Sequence, residues 1–231
     1  MGRPSEHDTE KDNWIAEVSH ELRLPLANIK LLVETLLDGA IEDKTTAVRM
    51  LNRTREEVTR LQNLVADLLS HEKLQGRRDE VRMEQVDVVE RIRCVIDTTS
   101  PLAAAKAIKM VQEVDPGCRL AANADQLDQV LINLVENAIK FTPEGGTITI
   151  RASDQPAVLE VEDSGIGIAE AEIPKIFQRF YRVDRGRTRG STGLGLSIVK
   201  HIVDLHGAKI SVKSVEGQGS KFTIEFPSSQ A

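Results

Sequence analysis

Apolar residues recur three and four apart through the first third of the chain, and that spacing predicts its first elements. Ile15, Val18, Leu22, Pro25, Ile29, Leu32 and Leu36 follow it, and so do Ala47, Leu51, Thr54, Val58, Leu61, Val65 and Leu68. Heptad spacing of this kind lays one narrow apolar seam on each of two helices, so Trp14 to Leu74 reads as helical. Between the seams, Asp38-Gly39-Ala40-Ile41-Glu42-Asp43 is a short connection with a glycine stop signal, which makes the pair an antiparallel hairpin. Two helices alone leave too much of both seams uncovered. A second copy would close a four-helix bundle, so a homodimer is the expectation; the alternative packs the hairpin on the rest of the chain.

The pattern changes at Gln75-Gly76-Arg77-Arg78-Asp79, a polar break read as the hinge between a domain at 1–76 and another at 77–231. Beyond it helices and strands mix. A helix is expected from about Val86 to Leu102 and a strand from Lys109 to Val114. A second helix, with Asp125 as its N-cap, runs to Phe141 and stops before Pro143. Strands follow at Gly146–Ala152 and Ala157–Asp163, then a long irregular stretch. A last helix covers Leu194 to His206, ended by Gly207. Lys209–Val215 and Ser220–Phe226 form a terminal hairpin around Glu216-Gly217-Gln218-Gly219. The expected fold class is α+β: the helical hairpin, then an α/β sandwich of one mixed sheet under about three helices.

Composition narrows the function. With 231 residues, 40% of them apolar, the chain can fill a real core. A formal net charge of -6 and the lack of a Lys/Arg block argue against nucleic acid or an anionic membrane as main partner. No apolar run is long enough to cross a bilayer, and the start, MGRPSEHDTEKD, lacks the apolar centre of a signal peptide. Cys94 and Cys118 belong to no CxxC pattern and read as ordinary thiols of a reducing compartment. A soluble, cytoplasmic, globular protein is expected.

Three segments carry candidate chemistry. On the helix ending at Phe141, Leu127, Val130, Leu131, Leu134 and Ala138 line a buried face. Asn133, Asn137 and Lys140 fall at i, i+4 and i+7 on another, with Glu136 beside them. Two amides, a carboxylate and an ammonium in one stripe can hold a hydrated Mg²⁺ and pair with phosphate oxygens; a solvated polar face is the plainer reading. In Asp163-Ser164-Gly165-Ile166-Gly167, strand alternation points Asp163 inward with Leu159 and Val161. A buried carboxylate needs donors. The exocyclic amino group of adenine would serve, with glycines letting backbone approach a flat base; a tight turn whose Asp caps its own backbone is the alternative. Ser191-Thr192-Gly193-Leu194-Gly195-Leu196 opens a helix, where exposed N–H groups suit a phosphate, although such a glycine loop is also a common helix entry. Lys175 to Thr192, with Arg179, Arg182, Arg185, Arg187 and Arg189 around Ile176, Phe177, Phe180 and Tyr181, reads as a mobile cationic lid over a polyphosphate.

NLVENAIKF, DSGIG, FQRFYR and STGLGL, in that order and spacing, resemble the N, G1, F and G2 boxes of sensor histidine kinases, and SHELRLPL at Ser19–Leu26 resembles their phosphoacceptor H box. The likeness runs from about Lys11 to Pro227. It implies a dimeric helical hairpin before an ATP-binding sandwich of the kind shared with gyrase, Hsp90 and MutL. It implies that His20 takes the γ-phosphoryl group of ATP, that Glu21 orients or deprotonates its imidazole, and that an aspartate of a response regulator's receiver domain receives the group. Asn137 then resembles the Mg²⁺ ligand, Asn133 and Lys140 phosphate contacts, and Asp163 the adenine reader. Gly165, Gly167, Tyr181, Arg182, Thr192, Gly193, Leu194, Gly195 and Leu196 complete the nucleotide set. Such a chain is expected to be cut from a longer sensor, whose input and any membrane anchor lie outside it.

Two positions depart from the family pattern. Ser191 stands where the G2 box usually opens with Gly. Leu24 stands where the family usually has Thr or Asn, four residues after the histidine, a polar side chain thought to position water for dephosphorylating the regulator. Leucine cannot do so, which puts phosphatase activity in doubt. Among the other histidines, Ser70-His71-Glu72 repeats the Ser19-His20-Glu21 triplet without the LRLPL that follows it, so His71 reads as a surface residue. His7 falls in a start expected to be disordered. His206, near a helix C-terminus, suits the helix dipole. No His pair has metal-site spacing with a third ligand.

Overall fold

A computed structural model describes residues 6–75, 82–183 and 192–227, which fall into two compact units. The first is a helical hairpin: α1 Glu6–Leu37, a 3-10 turn Ala40–Glu42, and α2 Lys44–Gln75. α1 starts at Glu6, not at Trp14 as the apolar pattern suggests, and takes in His7. Pro25 lies inside α1, which continues past the missing N–H. Gly39 turns the chain at φ 113, a left-handed value that glycine adopts freely. Asp43 then caps α2, its carboxylate accepting from the Thr45 N–H at 3.0 Å and the Thr46 hydroxyl at 2.6 Å.

The heptad seam of α2 splits in two. Ala47 is buried, with Thr54, Leu61 and Leu68 half-buried, whereas Leu51, Val58 and Val65 remain exposed in the single chain. On α1, Leu26, Val33 and Leu37 are exposed as well. The polar break at Gln75–Asp79 lies, beyond Gln75, outside the described residues.

The second unit has a five-stranded sheet in the order β2 (Lys109–Val114), β4 (Thr147–Asp154), β5 (Ala157–Asp163), β7 (Gly219–Glu225), β6 (Lys209–Val215). β2 and β4 are parallel and the other pairs antiparallel. Alternation buries Ile148, Ile150, Leu159, Val161 and Ile224 on one face, under α3 (Val88–Ala104), α4 (Ala124–Phe141) and α5 (Gly195–Leu205). The opposite face is a charge ladder: Arg151 bonds Glu162 and, at 2.6 Å, Glu113, and Lys221 reaches Glu160 at 3.0 Å. Among the described residues, no helix is long and apolar enough to cross a membrane.

Two strands escape the sequence pattern. β1 (Glu84–Asp87) and β3 (Arg119–Ala122) pair antiparallel, burying Val86, Leu120 and Ala122. Four residues are too few for a period of two to declare itself. α3 therefore starts at Val88, not Val86, behind an Asp87 cap whose side chain accepts from the Glu90 N–H at 3.2 Å. The cap of α4 is Asn123, not Asp125; its side chain accepts from the Gln126 N–H at 3.1 Å and Asp125 falls in the first turn. Both residue types cap equally well, so the sequence alone could not rank them. Other ends shift by a residue or two, as helix and strand ends do.

His206 sits at the C-terminal end of α5, where the sequence places it beside the helix dipole, but as a core residue. It is buried, its Nε2 accepts from the Asn123 N–H at 3.0 Å, and its Nδ1 lies 2.8 Å from the Ile202 carbonyl. Those partners require the neutral tautomer with the proton on Nδ1. Burial also pushes its pKa down. The ring ties the end of α5 to the cap of α4.

Candidate functional site

α4 carries the polar stripe, and two glycine-bearing segments close on its ends. Asn133 is buried, donating its amide to the Gln129 carbonyl at 2.9 Å. A Cβ on Gly195 would meet Asn133 Oδ1 at 2.9 Å, so the start of α5 rests on this amide. The sequence sets Asn133 on a face apart from the buried one; the structure buries it beneath the α5 N-terminus. One turn on, Asn137 is half-buried and its side chain makes no hydrogen bond among the described residues. Lys140 follows, its Nζ buried without a hydrogen-bond partner among the described residues, 5.0 Å from the centre of the Phe141 ring. Asn133 and Phe141 are eight residues apart, about 12 Å of helix at 1.5 Å per residue, a length suited to an extended polyphosphate.

The C-terminus of α4 is closed by long-range partners. Lys106 Nζ donates to the carbonyls of Ile139, Lys140 and Thr142 at 2.8, 2.8 and 3.1 Å. The Phe141 carbonyl accepts from the Ile166 N–H at 3.1 Å. The orphan carbonyls of the last turn are thereby satisfied. The loop after β5 is thus fixed on α4, next to Lys140. Nothing in the sequence singles out Lys106; its partners lie more than thirty residues away.

Asp163 is buried as the strand alternation predicts, and its Oδ1 accepts from the Gly165 N–H at 2.8 Å. The self-capping turn and the inward carboxylate are both present. Burial pushes its pKa up, against the lowering effect of the Gly165 and Ser220 N–H groups. Gly165 and Gly167 do not simply leave room for a base. A Cβ at 165 would lie 2.6 Å from the Phe141 carbonyl oxygen, and one at 167, where φ is +68, 2.0 Å from that of Val215. These glycines let the chain pack on itself, holding Asp163 in place.

The segment before the glycine loop is anchored by its aromatics. The Tyr181 hydroxyl bonds Glu172, which also pairs with Lys175 at 3.1 Å. Gly193, at φ +77, allows the loop to pass over Phe180, whose backbone a Cβ would meet at 2.7 Å. Thr192 and Leu194 are buried and Leu196 half-buried. Leu194 precedes the first turn of α5, whose N–H groups have no helical partners and can face an anion. Arg185, Arg187, Arg189 and Ser191 lie outside the described residues.

Lys140 is the electrostatic centre of this region. Burial, then repulsion from Arg182 and Lys106, lowers its pKa to about 8. An ammonium held below its unfolded pKa costs the fold stability while charged, and the cost fades as pH rises through 8. A bound phosphate reverses the shift. At about pH 8.5, polyphosphate binding is therefore expected to take up protons and to weaken as pH rises. Calorimetry in buffers of different ionisation heat reads this directly; proton uptake equal in Lys140→Met would contradict it.

On the hairpin, His20 is 72% exposed, and its Nδ1 lies 3.8 Å from Glu21 Oε1. Glu21 Oε2 is 3.5 Å from an Arg60 nitrogen on α2. Leu24, one turn past His20, is 50% exposed. Asn28, a turn further, donates to Glu57 at 3.2 Å. His71 is in the last turns of α2, and its side chain lies outside the described residues. No group of three or more metal-ligating His, Cys, Asp or Glu occurs among the described residues.

Comparison with known proteins agrees with both halves. Residues 122–230 match the histidine kinase-, DNA gyrase B- and HSP90-like ATPase family, and residues 10–77 the His Kinase A (phospho-acceptor) domain. Sensor histidine kinase WalK of Bacillus subtilis (strain 168) is 36% identical over 227 residues, 95% of this chain and 37% of WalK. Phosphate regulon sensor protein PhoR of Pseudomonas aeruginosa is 37% identical over 224 residues, 95% of this chain and 51% of PhoR. The catalytic domain of histidine kinase ThkA superposes with a TM-score of 0.57 at 34% identity, covering 64% of this chain and 96% of that one. ThkA in complex with the response regulator protein TrrA gives a TM-score of 0.74 at 30% identity, over 94% and 61%. The chain belongs to the sensor histidine kinases of two-component systems. It spans about half or less of the length of these curated relatives.

Proposed function

We propose that this chain transfers the γ-phosphoryl group of ATP to its own His20, and from there to an aspartate on a response regulator's receiver domain. The observation that carries this is an exposed histidine with a carboxylate at its Nδ1, in the same chain as a lysine whose buried Nζ has no hydrogen-bond partner among the described residues. Glu21 faces Nδ1, which leaves Nε2 as the nucleophile. Closing the 3.8 Å gap by about 1 Å lets Glu21 accept the Nδ1 proton. The Nε2–phosphorus bond forms as the bond from phosphorus to the β-bridging oxygen breaks, ADP leaves with that electron pair, and the proton passes from Nδ1 toward Glu21. Lys140, and the N–H groups at the start of α5, bind phosphate oxygens. Asp163 accepts the adenine amino group. Asn133, one turn before Asn137 on α4, is a further phosphate contact. Asn137 offers a hard oxygen donor of the kind Mg²⁺ takes in small number beside water and phosphate; when bound, the ion neutralises phosphate charge. Most of the acceleration then comes from positioning and charge neutralisation. The proposed division is a phosphoacceptor domain at 1–76 and an ATP-binding domain at 77–231. The test is a chase. Chain labelled with γ-labelled ATP is mixed with a purified receiver domain, and the label should leave the kinase for an aspartate; label that never leaves contradicts transfer.

The exposed line Leu51, Val58 and Val65, facing outward at heptad spacing, supports a homodimer closed as a four-helix bundle. Sedimentation of the whole chain should give a dimer, and Leu51→Glu with Val58→Glu a monomer. A wild-type monomer over a wide concentration range contradicts this.

Leu24 supports weak phosphatase activity. Dephosphorylating an aspartyl phosphate needs a water held in line, and leucine offers neither donor nor acceptor. Asn28, the next polar group along α1, is already engaged by Glu57. Leu24→Thr is expected to speed loss of phosphate from the regulator by about tenfold. Equal rates, both far above spontaneous hydrolysis, would show that another group positions the water.

A further inference from the structure

We infer that Arg60 is a positioning residue for the phosphoryl transfer, holding the Glu21 carboxylate so that one of its oxygens stays turned toward His20. The inference rests on the role given above to Glu21.

Arg60 is only 13% exposed, although it lies on a helix that could have placed leucine there. Its guanidinium sits between two carboxylates from different helices. One nitrogen is 3.5 Å from Glu21 Oε2 on α1, and another is 3.9 Å from Glu57 Oε2 on α2. Glu57 is held in turn by Asn28, which donates to its other oxygen at 3.2 Å. The result is a continuous polar line across the hairpin: Asn28, Glu57, Arg60, Glu21, His20.

The two oxygens of Glu21 are divided. Oε2 faces Arg60 and Oε1 faces His20 Nδ1 at 3.8 Å. Glutamate has three rotatable side-chain bonds, and on an exposed helix face it would sample many rotamers. A carboxylate free to swing must be fixed again each time the imidazole reacts, and that entropy enters the barrier. Arg60 fixes it beforehand. Its planar fork suits the task, because it can meet two carboxylates at once without being reoriented. Stability alone gives little reason for the arrangement, since buried ion pairs roughly break even against well-packed apolar residues. Removing Arg60 would leave Glu21 and Glu57 as neighbouring like charges, pushing Glu21 outward.

The test is the rate of self-phosphorylation at saturating Mg·ATP for wild type, Arg60→Met, Arg60→Gln, Arg60→Lys, Glu21→Gln and the Arg60→Met/Glu21→Gln pair. Glu21→Gln should slow the reaction by about 100-fold, the usual worth of a proton acceptor. Arg60→Met and Arg60→Gln should each slow it by about tenfold with KM for ATP unchanged, and Arg60→Lys should recover part of that, because an ammonium can pair with Glu21 but cannot fork to both carboxylates. The decisive comparison is the double variant, in which Arg60→Met should add less than about twofold, because its effect passes through a carboxylate already removed. An equal loss in both backgrounds overturns the inference while the role of Glu21 stands. A wild-type rate in both Arg60→Met and Arg60→Gln also overturns it. A wild-type rate in Glu21→Gln sinks the role of Glu21 itself, and the inference with it. Helicity and sedimentation of each variant separate these outcomes from loss of the hairpin, and a loss of rate in Arg60→Lys equal to that in a partly unfolded Arg60→Met would count against positioning.

Discussion

His20→Ala is expected to reduce self-phosphorylation to background while ATP affinity stays within about twofold of wild type. The two properties belong to different units of the chain. His20 stands on the hairpin, 72% exposed, and makes no contribution to a core. The groups expected to hold the nucleotide lie on α4, on the loop after β5 and at the start of α5. Removing the nucleophile eliminates the covalent step, which no neighbour can replace. In the proposed mechanism Glu21 only accepts a proton, and Ser19 is a far weaker nucleophile near neutral pH than an imidazole. The hairpin should fold normally, since alanine is the best helix former. His71→Ala, by contrast, should label like wild type. Label persisting in His20→Ala and lost in His71→Ala would reverse the assignment.

Asn137→Ala should lower Mg²⁺-dependent ATP affinity by about 100-fold or more and silence the kinase, with the melting temperature of the nucleotide-free chain within a few degrees of wild type. The amide is half-buried and makes no hydrogen bond among the described residues, so its loss strands no partner. Alanine in the middle of a helix even gains a little propensity over asparagine. Asn133 is the instructive contrast. It is buried and supports Gly195, so Asn133→Ala should cost stability as well as binding. A large drop in melting temperature for Asn137→Ala would mean that this amide, too, is structural. Thermal unfolding with and without Mg·ATP separates the two cases.

Much of this was legible before any coordinates, and for physical reasons. Helix periodicity is a property of neighbours in sequence, so α1, α2, α3, α4 and α5 all announce themselves within a residue or two, apart from the polar first turns of α1. The inward turn of Asp163 follows from a period of two along β5. What stayed hidden depends on partners distant in the chain. β1 and β3 are four-residue strands defined only by each other. Lys106 matters because a turn brings it to the end of α4, and Arg60 because the hairpin folds it against Glu21. The glycines of the DSGIG segment read as room for backbone to approach a base; that a Cβ there would meet the backbone of Phe141 and Val215 depends on the fold. The sequence places His206 at a helix C-terminus, but its bonds to Asn123 and Ile202, which make it a buried neutral link, depend on the fold. The α2 seam was visible as one line, but only the fold shows that Ala47 faces in while Leu51, Val58 and Val65 face out.

The most direct measurement is to incubate the chain with γ-labelled ATP and Mg²⁺, then test the stability of the label and locate it. A phosphoryl group on an imidazole nitrogen is lost in acid and kept in alkali, whereas phosphoserine survives acid. The expected result is an acid-labile label confined to the peptide that contains His20. An acid-stable label, or an acid-labile one on the peptide containing His71, would contradict it.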